Sequence, residues 1–163
     1  DNQGVGTIIN DDVASSVEVF VESFEAPVPW SGWTKDSQWK QSSQRKTSGT
    51  YSADVAGSAT DAKLTSNAIS LQGKTNVTIT FSWYIQSTLD TGEYLAFDVS
   101  TNNGATWSQM AILRGNVDPE NVWRNVTVNV NGITTNSLRL QFRGRMDRSD
   151  EHANVDNIRV IAN

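Results

Sequence analysis

Three tryptophans crowd one run, PWSGWTKDSQW, at Trp30, Trp33 and Trp39. A flat indole offers a large apolar face at low entropic cost and keeps an N–H to donate. That combination suits the C–H face and hydroxyls of a sugar ring. In so loop-rich a stretch at least one of the three rings is expected at the surface; the competing reading is that Trp33 and Trp39 cover an edge of the fold. Trp123 is placed differently. It is out of phase with Val126, Val128 and Val130 and shares its side with Asn125 and Thr127, so a period of two turns it toward water. Tyr84, Asp98, Gln141 and Arg143 are expected to line the same wet trough.

A second set is basic. Arg139, Arg143, Arg145 and Arg148 are interleaved with Asp147, Asp150 and Glu151. Guanidinium forks suit planar oxyanions such as carboxylates and sulfate esters. Local pairing within the loop explains the pattern equally well, and such surface pairs contribute roughly 0–1 kcal/mol each.

Catalytic chemistry finds little footing. There is no G-x-S-x-G elbow, no glycine-rich phosphate loop and no H-E-x-x-H, and the single histidine, His152, sits in one loop with Ser149, Asp150 and Glu151. A glycosidase needs two carboxylates about 5–9.5 Å apart. Glu93 and Asp98 have opposite parity on one strand and are expected to face opposite sides. Tyr84 with Arg143 could imitate a polysaccharide lyase, but the chain is short for one. The expectation is a protein that is not an enzyme.

Composition narrows the classes further. The 163 residues suit one domain of ordinary size. With 13 basic and 18 acidic residues the net charge is −5, the wrong sign for gripping nucleic acid or an anionic membrane by bulk electrostatics. Cysteine is absent, which excludes disulfide staples and thiolate metal clusters. No apolar run is long enough to span a bilayer. The chain carries 18 Ser, 16 Thr and 15 Asn, a bias toward strands and loops rather than helices.

The elements that must position these residues follow from alternation and turn signals. Strands are expected at 17–25, 50–56, 62–71, 75–86, 93–100, 106–113, 122–130, 137–143 and 153–162, with 32–34 and 37–41 as short strands or extended loop. Val77, Ile79, Phe81, Trp83 and Ile85 share one face; Leu95, Phe97 and Val99, then Leu138, Leu140 and Phe142, repeat the pattern. Each strand thus has one core face and one wet face. The fold class is all-β, a two-sheet antiparallel sandwich.

Several short motifs carry resemblances. Residues 100–107, STNNGATW, are similar to an Asp-box with Asn102 in place of the aspartate, a hairpin device in which Gly104 takes positive φ and Trp107 packs on the base. Residues 4–12, GVGTIINDD, resemble the closing strand of a Calx-beta domain. That resemblance implies that residues 1–16 are the end of a preceding domain plus linker, and that 17–163 form a module cut from a longer chain with covalently linked neighbours. The order Phe24-Glu25, Gly49-Thr50-Tyr51-Ser52, the 100–107 hairpin and Val155-Asp156-Asn157-Ile158 resembles jelly-roll modules of the MAM-like, cleaved-adhesin and carbohydrate-binding type.

That second resemblance implies a structural Ca²⁺ held by the Glu25 and Asp156 carboxylates with carbonyls of Ser48 or Thr50, and Asp54 as a less certain member. Zn²⁺ is not expected from one His and no Cys. It also implies a monomeric, bacterial, secreted or cell-surface module. Such a module would attach a larger enzyme or surface protein to a polysaccharide, an acidic or sulfated marine one among the candidates. The sugar-binding residues would be Trp30, Trp33, Trp39, Tyr84, Asp98, Trp123, Gln141, Arg143 and Arg145. The rival expectation is a protein-binding adhesin or spacer domain of a cell-surface chain.

Overall fold

Period-two patterning runs through the long strands of the computed structural model, which describes residues 15–163. The Calx-beta-like run at 4–12 lies outside the described residues. Twelve strands follow in chain order: β1 (Val17–Glu22), β2 (Trp33–Lys35), β3 (Trp39–Ser42), β4 (Ser52–Ala56), β5 (Ala59–Ser66), β6 (Ile69–Ser70), β7 (Val77–Ile85), β8 (Tyr94–Ser100), β9 (Ser108–Arg114), β10 (Arg124–Val130), β11 (Ser137–Met146) and β12 (His152–Ala162). The expected strand at 62–71 is in fact two, β5 and β6, interrupted at 67–68. Among the described residues no helix is long and apolar enough to cross a membrane.

The strands form two antiparallel sheets. The first has the order β10-β7-β12-β4-β3, with β1 also paired to β12. The second has the order β2-β5-β11-β8-β9, with β6 also paired to β11. Strand β12 organises the first sheet: β7 pairs along one edge, while β4 and β1 share the other, opposite its first and second halves. Its register against β7 breaks between Asp156 and Arg159, where Asn157 has φ +53°. A bulge of this kind re-aims side chains on the outer face.

Between the sheets the inward residues of β7, β8 and β11 are buried as alternation requires. Phe81, Phe97 and Phe142 meet there, with centroids 4.6–5.1 Å apart. Each such ring or aliphatic side chain removed from water contributes about 1.5–3 kcal/mol. Gly144 of β11 lies across the core from Val55 of β4, and a Cβ there would come within 2.7 Å of a Val55 methyl. Only glycine admits so close an approach of the two sheets. Strand β4 is buried on both faces. Segment 43–51 lies over its outer side, anchored where Ser52 Oγ donates to the Arg45 carbonyl at 2.5 Å.

Candidate functional site

Strands β7 and β10 pair in register from Trp83/Arg124 to Val77/Val130. Trp123, one residue before β10, extends that register and lands beside Tyr84 on the outer face. Their ring centroids lie 5.6 Å apart at 46°. The Arg45 guanidinium covers the Tyr84 ring at 5.3 Å and donates to Gln86 at 2.7 Å. Tyr84 Oη donates to Asn121 Oδ1 at 2.9 Å, which ties the approach to β10 down onto β7. Both aromatic rings are half-buried.

Along the same face, next to this pair, runs a groove of about 620 Å³. Its floor is Thr80 and Ser82 of β7 with Asn125 and Thr127 of β10; the β12 bulge at Asn157–Arg159 and the end of β1 supply the other side. Ser82 Oγ donates to Asn125 Oδ1 at 2.8 Å, holding the amide in place and leaving its Nδ2 unengaged among the described residues. Arg159 is paired with Glu18 at 2.6 Å. Hydroxyls, an amide, a bulge and an ion pair thus line a trough on the same outer face as the aromatic pair. Alternation made Thr80, Ser82, Asn125 and Thr127 legible as outward residues, but only the sheet order shows that they adjoin.

The expected trough is divided by the topology. Tyr84 and Trp123 belong to the first sheet, whereas Asp98, Gln141 and Arg143 lie on the outer face of the second, on the opposite side of the sandwich. Parity separates inside from outside without saying which of two outsides. Arg143 is also fully occupied. Its Nε donates to Asp98, Nη1 donates to Asp61 at 2.7 Å, and Nη2 donates to Asp98 and Gln109 at 3.1 and 3.2 Å. These partners hold the guanidinium charged well beyond its ordinary range, the Asp98 hydrogen bond chief among them. Gln141 donates to Thr65 at 2.9 Å. The Arg148 guanidinium pairs with Asp90 and that of Arg139 donates to Asn103, so neither guanidinium pairs with Asp147, Asp150 or Glu151. Arg145 is exposed and lines a separate shallow cavity.

The loop tryptophans are core residues, contrary to the expectation of an exposed ring. Trp30, Trp33 and Trp39 are only 3%, 9% and 0% exposed. Phe24 packs against Trp30 and Trp33 with centroids at 4.9 and 5.8 Å. Trp33 Nε1 donates to Glu22 and Trp39 Nε1 to the Ala62 carbonyl, both at 3.0 Å. The segment is irregular, yet it wraps the core, where Phe20 of β1 and Phe24 just beyond that strand supply its aromatic partners. Trp107, expected in the core, is half-buried against its own hairpin. That hairpin forms as an Asp-box should: Ser100 Oγ accepts the Gly104 amide at 2.8 Å and Asn102 Oδ1 accepts the Thr106 amide at 2.9 Å.

Glu25, Ser48, Thr50 and Asp156 do converge, around segment 47–51. Glu25 accepts the amides of Thr50 and Tyr51 at 2.9 Å; Asp156 Oδ2 accepts the Thr47 amide and hydroxyl and the Ser48 amide at 2.8–3.2 Å. Amide N–H groups, not carbonyl oxygens, therefore meet both carboxylates. A Ca²⁺ asks for six to eight oxygen ligands; here segment 47–51 turns amide and hydroxyl donors toward both carboxylates. Asp54 stands apart, 3.1 Å from His152 Nδ1.

The strand order and the face-to-face sheets define a two-sheet β-jelly-roll module. Protein-family models and curated proteins give no match to the chain. Solved structures do. The K3 cleaved adhesin domain of Lys-gingipain from Porphyromonas gingivalis superposes with a TM-score of 0.66 at 17% identity, covering 91% of this chain and 100% of that one. The xylan-binding CBM22 domain from Paenibacillus barcinonensis gives 0.60 at 17% identity over 90% and 94%. A CBM61 module in complex with β-1,4-galactotriose gives 0.60 at 13% identity over 82% and 90%.

Proposed function

We propose that this domain is a non-catalytic carbohydrate-binding module whose binding face is the outer side of the β10-β7-β12 sheet. One observation carries the proposal: a groove of about 620 Å³ with a floor of hydroxyl and amide side chains, whose Ser82 and Asn125 are the same-face neighbours of Tyr84 and Trp123. The indole offers a sugar its apolar face, and Asn125, Ser82, Thr127 and Asn157 offer donors and acceptors to hydroxyls. The groove draws its lining from β10, β7, β12 and β1, a span that suits a chain rather than a single sugar. The xylan-binding and galactotriose-bound modules named above share the fold, which supports the class of ligand.

A neutral glycan backbone fits this face better than an acidic or sulfated one. The groove is lined by Glu18 and Glu22, its one lining arginine among the described residues, Arg159, is paired with Glu18, and Arg45 lies over the Tyr84 ring outside that lining, while Arg143 is committed to Asp98 and Asp61 on the other side of the molecule. On this reading the module belongs to a secreted or surface-attached chain, in which tethering raises the effective concentration of whatever is linked to it. The adhesin reading has its own support in the gingipain likeness, which covers the whole of that domain.

Affinity electrophoresis in gels containing xylan, β-1,4-galactan, a uronic polysaccharide or a sulfated one tests the proposal. Retardation by a neutral β-glycan, lost in Trp123→Ala, is the expected result. No retardation by any of the four sinks the binding-module reading in favour of the adhesin one.

A further inference from the structure

At one end of the sandwich three carboxylates meet that belong to neither outer face. Glu93 immediately precedes β8, Asp147 immediately follows β11 and Glu151 immediately precedes β12. One carboxylate oxygen from each lies within 4.8 Å of the others. Strands β8 and β11 are in one sheet and β12 is in the other, so the cluster sits where the two sheets come together.

Two of the three are buried, Glu93 at 6% exposure and Glu151 at 0%. Among the described residues none of the three makes an ion pair, and the nearby Arg148 is spent on Asp90 at 3.3 Å. Backbone amides engage three of the four glutamate oxygens: Asp90 and Asp147 donate to Glu93 at 2.6 and 2.8 Å, and Asp147 and Arg148 donate to Glu151 Oε2 at 2.9 and 2.7 Å. Glu151 Oε1 is left with neither a protein partner nor solvent. A buried carboxylate oxygen in that state costs several kcal/mol unless something neutralises it.

We propose that Glu93, Asp147 and Glu151 form a Ca²⁺ site that staples the two sheets. The spacing suits the ion, since two oxygens on opposite sides of a Ca²⁺ stand about 4.6–5.2 Å apart, twice the 2.3–2.6 Å ligand distance. The donor set is all oxygen and carries three negative charges, which favours a hard divalent cation. Asp147 is exposed, and a shallow cavity of about 260 Å³ bordered by Thr60, Asp90 and the exposed Arg145 opens Glu93 and Asp147 to solvent, an entry path with room for coordinating water. The carboxylate clamp at Glu25 and Asp156 has no comparable orphan oxygen.

The test uses the whole domain, stripped with EDTA and exchanged into chelator-free buffer. It is titrated with CaCl₂ while its melting temperature is followed, and Ca²⁺ bound per chain is measured by equilibrium dialysis. A saturable rise in melting temperature is expected for the wild type, with one fewer Ca²⁺ bound in Glu151→Gln and in Asp147→Asn. Asp147 is exposed, so its variant keeps the test decisive even if Glu151→Gln fails to fold. The proposal is overturned if the wild type binds no Ca²⁺, or if binding survives Asp147→Asn and Glu93→Gln and disappears only in Asp156→Asn. A wild type indifferent to Ca²⁺ beside a Glu151→Gln variant that is more stable at neutral pH also overturns it, because the two buried carboxyls would then be sharing a proton.

Discussion

The Trp123 and Tyr84 rings stand 5.6 Å apart on the outer face, beside Ser82 and Asn125 of the groove floor, held there by the β7–β10 register. Because Trp123 lies just outside β10 and is half-buried, truncating it removes a contact surface without opening the core. Trp123→Ala is expected to weaken binding to a retained glycan by at least about 2 kcal/mol, roughly 30-fold, as buried aromatic anchors do. Its melting temperature should move little. Trp39→Ala, which leaves a large cavity in a fully buried position, should instead cost about 3–5 kcal/mol of stability. Isothermal titration beside thermal melts of both variants separates a site residue from a core one.

How far the site was readable from the residues differs sharply between these two tryptophans. Trp123 was placed by strand parity, which depends only on near neighbours and is robust wherever one face is wet. Trp39 was not legible in this way, because irregular sequence does not specify exposure and its Nε1 meets the Ala62 carbonyl, 23 residues further along the chain. Strand positions and the inward set on β7, β8 and β11 were legible for the same local reason. The assignment of strands to two sheets was not, since it depends on long-range pairing. The carboxylate cluster was equally hidden: Glu93 and Glu151 meet only because β8 and β12 begin at the same end of the sandwich.

Segment 47–51 is fastened by Asp156 and Glu25, and Gly49 makes the second contact attainable. A Cβ at Gly49 would collide with the Glu25 carboxylate, and its φ of +57° disfavours other residues. Gly49→Ala should therefore release Glu25 from its amides and destabilise the domain. Asp156→Ala, which strips four donors of their acceptor at a fully buried position, is expected to cost about 2–3 kcal/mol or more. Urea denaturation checks both, and amide exchange should show faster exchange confined first to Thr47, Ser48, Thr50 and Tyr51.

On the other outer face, Asp98 is 2% exposed and depends on Arg143 for its countercharge. Removing the guanidinium would strand a buried carboxylate, for which about 3–5 kcal/mol is the expected loss. Arg143→Met should thus be severely destabilised, while Arg143→Met combined with Asp98→Asn should recover part of the loss. Glycan binding by the refolded double variant should be unchanged, because this network lies on the opposite face from the groove. A loss of binding in that variant at full folding would move the site to the second sheet.

The Asp54–His152 pair at the β4–β12 junction makes a pH-dependent prediction. Burial raises the Asp54 carboxyl above its ordinary value, and the charges of His152, Arg45 and Lys40 only partly offset this. The sign follows from proton binding. Between the unfolded carboxyl value, about 4, and the higher folded one, the folded chain holds a proton that the unfolded chain has released, so Asp54 loses stability for the protein as pH rises through that window. Asp54→Asn cannot release a proton. Its stability relative to the wild type should accordingly climb as pH is raised from about 4 to 6, opposite to what loss of a carboxylate with a depressed value would give. Paired thermal melts at half-unit intervals of pH measure the difference directly; a gap that narrows over that range would show that His152, rather than burial, governs the carboxyl.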